Sequence, residues 1–156
     1  MKGHPTDFWG KFDETNGTIE WHPLEDHCVD VAACFQNLIA KTLWRRRLAT
    51  AGGLSDLSPI RQARLSVLAL LHDAGKYNLG FQAKVEVSPK LIAGHQQPLL
   101  DCFYCPGPAQ KPLFDALGVH EMQQWVEGDE ENFFSLFIAA ISHHGRPLQP
   151  KNGFSS

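Results

Sequence analysis

The sequence lacks the long hydrophobic segments that membrane and secreted proteins carry. No apolar run approaches the roughly 20 residues that a membrane-spanning helix needs, and the N-terminus has no apolar stretch suited to secretion. The net charge is −3 at pH 7, so the chain has no overall positive charge to attract nucleic acid. We therefore expect a cytoplasmic protein with no membrane partner, in which nucleic-acid binding depends on a local basic patch.

The cysteines are too few and too scattered for a four-sulfur zinc site. Cys102 and Cys105 form one C-x-x-C pair, and the sequence has no second pair to complete such a site. We interpret them as two thiols in a loop rich in proline and glycine. In the cytoplasm all four cysteines are expected to be reduced.

The length and composition are those of one globular domain. The chain has 156 residues, of which 43% are hydrophobic and 20% are charged, and these fractions are ordinary for globular proteins. No internal repeat or low-complexity segment interrupts it. We therefore expect a single domain over residues 1–156.

The hydrophobic periodicity predicts helices throughout and no clear strand. A broad apolar stripe indicates a first helix from about Leu24 to Leu48. Ser58 and Pro59 are typical of an N-cap and a first helical residue, so a second helix is predicted from there to about Asp73. The other predicted segments are a short helix at 81–84, a turn at 88–92, a loop from Cys102 to Pro112, short helices over 114–126 with a break near Gly118, and a last helix from about Gly128 to His144.

Histidines and an aspartate end the apolar helical segments. The pair His72-Asp73 ends one such segment and the pair His143-His144 ends another. Buried polar groups are costly without a partner, and a divalent metal ion can pair with several imidazoles and a carboxylate at once. One inward histidine is more often a hydrogen-bonded core residue, but histidines at the ends of several helices favour a metal site. The candidate ligands are His27, His72, Asp73, His95, His143 and His144.

Asp73 is the residue that would allow a second metal ion. A carboxylate can bridge two metals about 3.5–4 Å apart, which an imidazole cannot do, and such a pair can activate water and neutralise a phosphodiester. A nitrogen-rich ligand set suits iron, manganese, nickel, cobalt or zinc better than magnesium or calcium. After the turn that Gly75 permits, Lys76 would contact a phosphate oxygen or would be an ordinary surface lysine.

A basic cluster lies near the end of the first predicted helix and has two interpretations. Its cations either complement the helix dipole and interact with solvent, or they form a phosphate-contacting patch. Spacing alone favours the first interpretation. The cluster consists of Lys41, Arg45, Arg46 and Arg47.

Four segments together resemble a known family. His72-Asp73-Ala74-Gly75-Lys76, with Phe81-Gln82 after it, resembles the His-Asp-x-Gly-Lys signature of HD-domain metal phosphohydrolases. Within that superfamily the chain most resembles the HD nuclease domain of the CRISPR-associated nuclease-helicase of type I systems. The other matching segments are residues 21–32, which contain His27, the pair Gly94-His95, and residues 141–145 with the double histidine.

The resemblance implies an all-α, HD-type helical bundle with a metal site in its interior. It implies that His27, His72 and Asp73 hold one metal ion, with Asp73 and Lys76 as the catalytic residues. The implied reaction is metal-dependent cleavage of single-stranded DNA that a guide RNA complex exposes. The implied partners are that surveillance complex and a helicase. The ligands implied for a second ion are Asp73, His95, His143 and His144.

The chain departs from this family after the double histidine. The family has a further metal-ligand aspartate there, whereas only twelve residues follow His144 and none is acidic. We therefore expect an HD domain that is incomplete at its C-terminus, in which Asp30, water or another chain completes the first metal's ligands. Two alternatives stay open. One is a catalytically silent HD module that binds the surveillance complex or a helicase, and the other is an HD phosphohydrolase that acts on nucleotides.

Overall fold

The computed structural model describes residues 1–86, 91–104, 107–108, 110–126 and 130–142. Its contacts divide the chain into two compact units, Met1–His72 and Asp73–Ser156. Helices make up most of the described residues, and two short strands form a small sheet, so the all-α prediction is confirmed. Within those ranges every helix is too short or too polar to span a lipid bilayer. The single domain predicted over residues 1–156 stays a prediction.

The first unit contains a β-hairpin that the periodicity did not predict. Strands β1 (Trp9–Thr15) and β2 (Thr18–Pro23) pair antiparallel. Asn16 and Gly17 join them with positive φ angles of 52° and 73°. Asn-Gly is the dipeptide that most favours such a two-residue turn, so the turn specifies the hairpin although the strands alternate weakly. The prediction of helices throughout, with no clear strand, was wrong in this segment.

Three helices complete the first unit: α1 (Leu24–Lys41), α2 (Trp44–Ala51) and α3 (Pro59–Leu70). Helix α1 packs against both the hairpin and α3, and it buries Leu24 and Ile39 almost completely. The predicted N-cap of α3 is confirmed, because the Ser58 hydroxyl accepts a hydrogen bond from the Arg61 N–H at 3.4 Å. This packing brings the first turn of α1 close to the end of α3.

The helix predicted from Leu24 to Leu48 is interrupted at Thr42. The Thr42 hydroxyl donates to the Leu38 carbonyl oxygen at 2.6 Å and accepts from the Trp44 N–H at 3.2 Å. The Thr42 backbone is extended. A threonine side chain can offer the backbone alternative hydrogen bonds, so the chain leaves one helix and begins another although the apolar stripe continues. The prediction of one uninterrupted helix was wrong here.

Helix α3 continues into a 3-10 helix, Leu71–Tyr77. This segment has seven residues, whereas 3-10 runs longer than about four are uncommon. The predicted second helix therefore reaches Asp73, but its hydrogen bonding changes after Leu70. The boundary between the two units falls inside this 3-10 helix, between the consecutive residues His72 and Asp73.

The second unit consists of further short helices. The short helix predicted at 81–84 is confirmed, and so is the break near Gly118, whose φ is 65°. The elements after the long 3-10 helix are α4 (Leu79–Gln82), a short 3-10 helix (Ala83–Val85), α5 (Gln96–Tyr104), α6 (Gln110–Leu117), α7 (Val119–Gln123) and α8 (Glu130–Ile141).

The loop predicted from Cys102 to Pro112 is shorter than expected. Helix α5 continues to Tyr104, and Pro112 lies inside α6, so the prediction was wrong at both ends. Pro112 is the third residue of its helix, where a backbone N–H would have no intrahelical acceptor. Proline therefore costs the helix little at that position. The predicted turn at 88–92 falls largely outside the described residues, as do Cys105 and the end predicted for the last helix.

An aromatic core holds α5, α6 and α8 together. The Phe103 ring centroid lies 4.6 Å from that of Phe114 and 4.8 Å from that of Phe137. Phe137 is completely buried. The Gln96 side-chain amide also donates to the Ile141 carbonyl oxygen at 2.5 Å. These contacts fix the start of α5, which directly follows His95.

Candidate metal centre

Two of the predicted ligands meet inside the first unit. His27 lies in the first turns of α1, and His72 follows α3. Because these helices pack together, the two rings lie with centroids 5.4 Å apart, at an interplanar angle of 63°. The tertiary structure therefore brings together histidines that are distant in the sequence.

A backbone hydrogen bond sets the orientation of the His72 ring. Its Nδ1 lies 2.8 Å from the Ala69 carbonyl oxygen. A carbonyl oxygen can only accept a hydrogen bond, so we assign the proton to Nδ1 and the lone pair to Nε2. Metal-binding histidines are commonly oriented in this way by a hydrogen bond from the other ring nitrogen.

The hairpin packs directly against His27. A Cβ atom placed on Gly10 would lie 2.8 Å from the His27 Cβ and 3.0 Å from the Leu24 Cα. The strand register is irregular at this point, between Trp9 and Lys11. Only glycine permits so close an approach of β1 to α1.

His22 also contacts His27, from the end of β2. The two ring centroids are 6.3 Å apart in an edge-on arrangement. His22 Nε2 in turn lies 3.1 Å from Asp30 Oδ2. His22 is not among the ligands predicted from the sequence, because its neighbour Pro23 indicates only a helix start. The hairpin that places His22 beside a candidate ligand could not be read from the helical periodicity.

Asp73 lies at the centre of a charged cluster in the second unit. Its side chain is 2% exposed, Lys76 Nζ lies 2.6 Å from Oδ2, and His95 Nε2 lies 3.4 Å from Oδ1. Gly75 makes this cluster possible, because a Cβ atom there would lie 1.8 Å from the His95 carbonyl oxygen. His95 therefore lies next to Asp73, and its role as a metal ligand stays a prediction.

Lys76 is buried, which excludes the interpretation as an ordinary surface lysine. Its side chain is 9% exposed, and its carbonyl oxygen accepts a hydrogen bond from the Gln82 side chain at 2.7 Å. The Phe81 ring edge contacts His95, with centroids 5.2 Å apart, and the Lys76 ammonium lies 5.6 Å from the same ring. Phe81 and Gln82 thus hold Lys76 and His95 in place around Asp73.

The ligand atoms present fit a transition-metal ion. His27, His72 and Asp73 each offer one ligand atom, and these atoms lie within 4.8 Å of one another. Two imidazole nitrogens and one carboxylate oxygen suit iron, manganese, nickel, cobalt or zinc. Asp73 follows His72 directly in one 3-10 helix, so their proximity is local. In the described ranges, His95 contacts Asp73 without joining this group, and His143 and His144 lie outside those ranges.

Asp30 is not a member of the metal-binding group among the described residues. Its carboxylate is exposed and lies against His22 instead. Asp30 therefore does not replace the further aspartate ligand that the resemblance implies.

The basic cluster near the end of α1 is divided by the fold. Arg45 forms a two-point ion pair with Asp56, and the Nε–Oδ1 distance is 2.6 Å. The hydrogen bonds from Arg45 are the main reason that the pKa of Asp56 falls to about 2. Arg46 and Arg47 are exposed, and the Arg47 guanidinium lies 5.9 Å from the Trp44 ring centroid. The phosphate-contacting role of the three arginines stays a prediction.

Comparison with known proteins identifies one family. The model of the family described as "Cas3, HD domain" matches residues 9–155 of the chain. No curated protein and no solved structure matches the chain. The resemblance inferred from the motifs is therefore confirmed by a match that extends from β1 past the double histidine.

Proposed function

The chain belongs to the Cas3 HD domain family, and on that basis we propose that it cleaves single-stranded DNA. The family consists of metal-dependent HD nucleases of type I CRISPR systems. The finer assignments, namely the single-stranded substrate, the partners and the role of each residue, are part of this proposal. The observation that carries it is the group of His27, His72 and Asp73, whose ligand atoms converge within 4.8 Å.

In this proposal His27, His72 and Asp73 hold one metal ion, and Asp73 and His95 contribute to a second. His143 and His144 would complete the second set. When bound, the ions supply Lewis-acid activation of water and neutralise phosphate charge. We propose a transition metal, because two of the ligand atoms are imidazole nitrogens.

The protein groups around the site have complementary tasks. The Ala69 carbonyl holds the His72 ring with Nε2 available as a donor to the ion. Lys76 neutralises Asp73 in the interior and offers its ammonium to a phosphate oxygen of the substrate. Burial of Asp73 strengthens these interactions, because charges act more strongly where water is excluded.

The partners proposed are those that the resemblance to the family implies. Single-stranded DNA would come from a target that a guide RNA complex has opened, and a helicase domain or subunit would deliver the strand. Arg46 and Arg47, which are exposed beside Trp44, would contact its phosphates. The cytoplasm is the compartment proposed for this activity.

Metal content and cleavage test the proposal together. We expect purified protein to contain about one to two transition-metal ions per chain and to nick labelled single-stranded DNA with manganese, nickel or cobalt. Asp73→Asn should lose both metal and cleavage. Asp115→Asn is the matched control, because Asp115 is an exposed aspartate of the second unit that pairs with Lys111.

The outcomes separate the alternatives. A folded wild-type protein that holds metal but hydrolyses nucleotides and not the polymer would favour the nucleotide phosphohydrolase. A folded protein that neither holds metal nor cleaves DNA under any of these ions would favour the silent binding module. Equal metal content in wild type and Asp73→Asn would contradict the ligand assignment.

A further inference from the structure

One aromatic ring of the second unit has two lysines beside it. The Lys84 ammonium lies 4.2 Å from the Phe81 ring centroid, and the Lys76 ammonium lies 5.6 Å from the same centroid. Phe81 is itself buried, and its ring edge contacts His95. The negative face of an aromatic ring attracts cations, so a second positive charge lies beside the ring that contacts Lys76 and His95.

The two lysines differ in what neutralises them. Lys76 is buried and paired with Asp73. Lys84 is exposed, its ammonium lies over the Phe81 ring, and within the part of the chain that the structure describes it forms no ion pair with a carboxylate. Lys111 of the same unit shows the contrast, because it is exposed and pairs with Asp115 at 2.6 Å.

The surroundings of Lys84 disfavour its positive charge. Partial burial lowers its pKa, and the nearby charge of Lys76 lowers it further. An anion next to Lys84 would relieve both effects, since it would replace lost hydration and offset the repulsion between the ammonium groups. The contact with the ring favours one position of the ammonium, which reduces the conformational entropy lost when the anion binds.

We propose that Lys84, held by Phe81, forms a phosphate subsite next to Asp73 and binds a nucleic-acid phosphate other than the scissile one. This inference rests on the proposed function, because it takes a nucleic-acid strand as the ligand of the neighbouring site. Lys76 faces the interior and the scissile phosphate. Lys84 faces solvent and receives an adjoining phosphate of the same strand, which aligns the strand with the ligand residues.

Binding and kinetics of charge variants test the subsite. The probes are a labelled single-stranded DNA oligonucleotide and 2′-deoxyadenosine 5′-monophosphate, with binding measured in chelator so that no cleavage occurs. We expect Lys84→Gln to bind both probes about fivefold more weakly, in line with one exposed charged contact. For the oligonucleotide, the slope of log K against log salt should be shallower by about 0.7 in Lys84→Gln than in wild type. That difference corresponds to one phosphate contact fewer.

Matched variants control for charge and folding. Lys84→Arg keeps the cation and should bind like wild type, and Lys111→Gln removes an exposed lysine of the same unit without effect on either probe. In the cleavage assay Lys84→Gln should raise KM and leave kcat and metal content unchanged, which a merely structural role would not produce.

The results distinguish this inference from the proposed function. Unchanged binding of both probes by Lys84→Gln overturns the subsite even if the wild type cleaves DNA. A wild type that binds neither probe overturns it as well. Binding that depends on Lys84 without any cleavage of the polymer supports the subsite and contradicts the nuclease.

Discussion

The contact between Gly10 and His27 leads to a specific prediction about metal binding. Gly10→Ala would place a Cβ atom 2.8 Å from the His27 Cβ and 3.0 Å from the Leu24 Cα. The Leu24 atom belongs to the backbone of α1, so it cannot move away by a rotamer change. The strain must instead be relieved by moving β1, His27 or both.

The structure sets the size of the displacement. Ordinary contact of a Cβ atom begins at 3.4 Å, so the atoms must separate by about 0.6 Å. Functional groups have to be held within about 0.5 Å of their productive geometry, and disturbing the groups that orient metal ligands typically costs 10–100-fold in metal affinity. We therefore expect Gly10→Ala to weaken metal binding about tenfold, which is about 1.4 kcal/mol.

The measurement is a cobalt(II) titration followed by absorbance, with a thermal melt of the metal-free protein. Overpacking of this kind costs about 1–3 kcal/mol, so the metal-free Gly10→Ala protein should melt lower but still fold. Gly52→Ala is the control in the same unit, because a Cβ atom at Gly52 would meet its nearest neighbour at 3.5 Å. Wild-type cobalt affinity in Gly10→Ala would refute the reasoning that the hairpin positions His27.

Two further predictions concern stability. The pKa of Asp56 is lowered from its usual 3.8 to about 2 by Arg45, so this ion pair stabilises the fold above pH 4, and the stabilisation is lost as the pH falls towards 2. Denaturant titrations should therefore show less stability loss between pH 4 and pH 2 for Asp56→Asn than for wild type, and equal losses would contradict the assignment. Phe137→Ala should lower the free energy of unfolding by about 3–5 kcal/mol, because Phe137 is completely buried in the aromatic core. The control is Leu79→Ala, which should change the free energy of unfolding little because Leu79 is exposed.

Local patterns in the sequence predicted several helix boundaries. The N-cap at Ser58 and the break at Gly118 were predictable because capping and left-handed backbone conformations depend on single residues and their neighbours. The interruption at Thr42 was missed since its hydroxyl competes with a helix that the apolar stripe alone would continue. The Asn16-Gly17 turn was a local signal too, and the hairpin could have been predicted from it.

The sequence alone was sufficient for the family and the helical class, and it predicted the candidate ligands, because these inferences depend on residue type and on short spacings rather than on packing. Spacing could not show that Lys76 is buried against Asp73, that Gly10 and His22 contact His27, or that Phe81 lies beside both Lys76 and Lys84. Those contacts join residues from different elements, or depend on whether a long side chain points into the interior or into solvent. They arise only when the elements pack, since burial and close approach are properties of the surroundings and not of the residue itself.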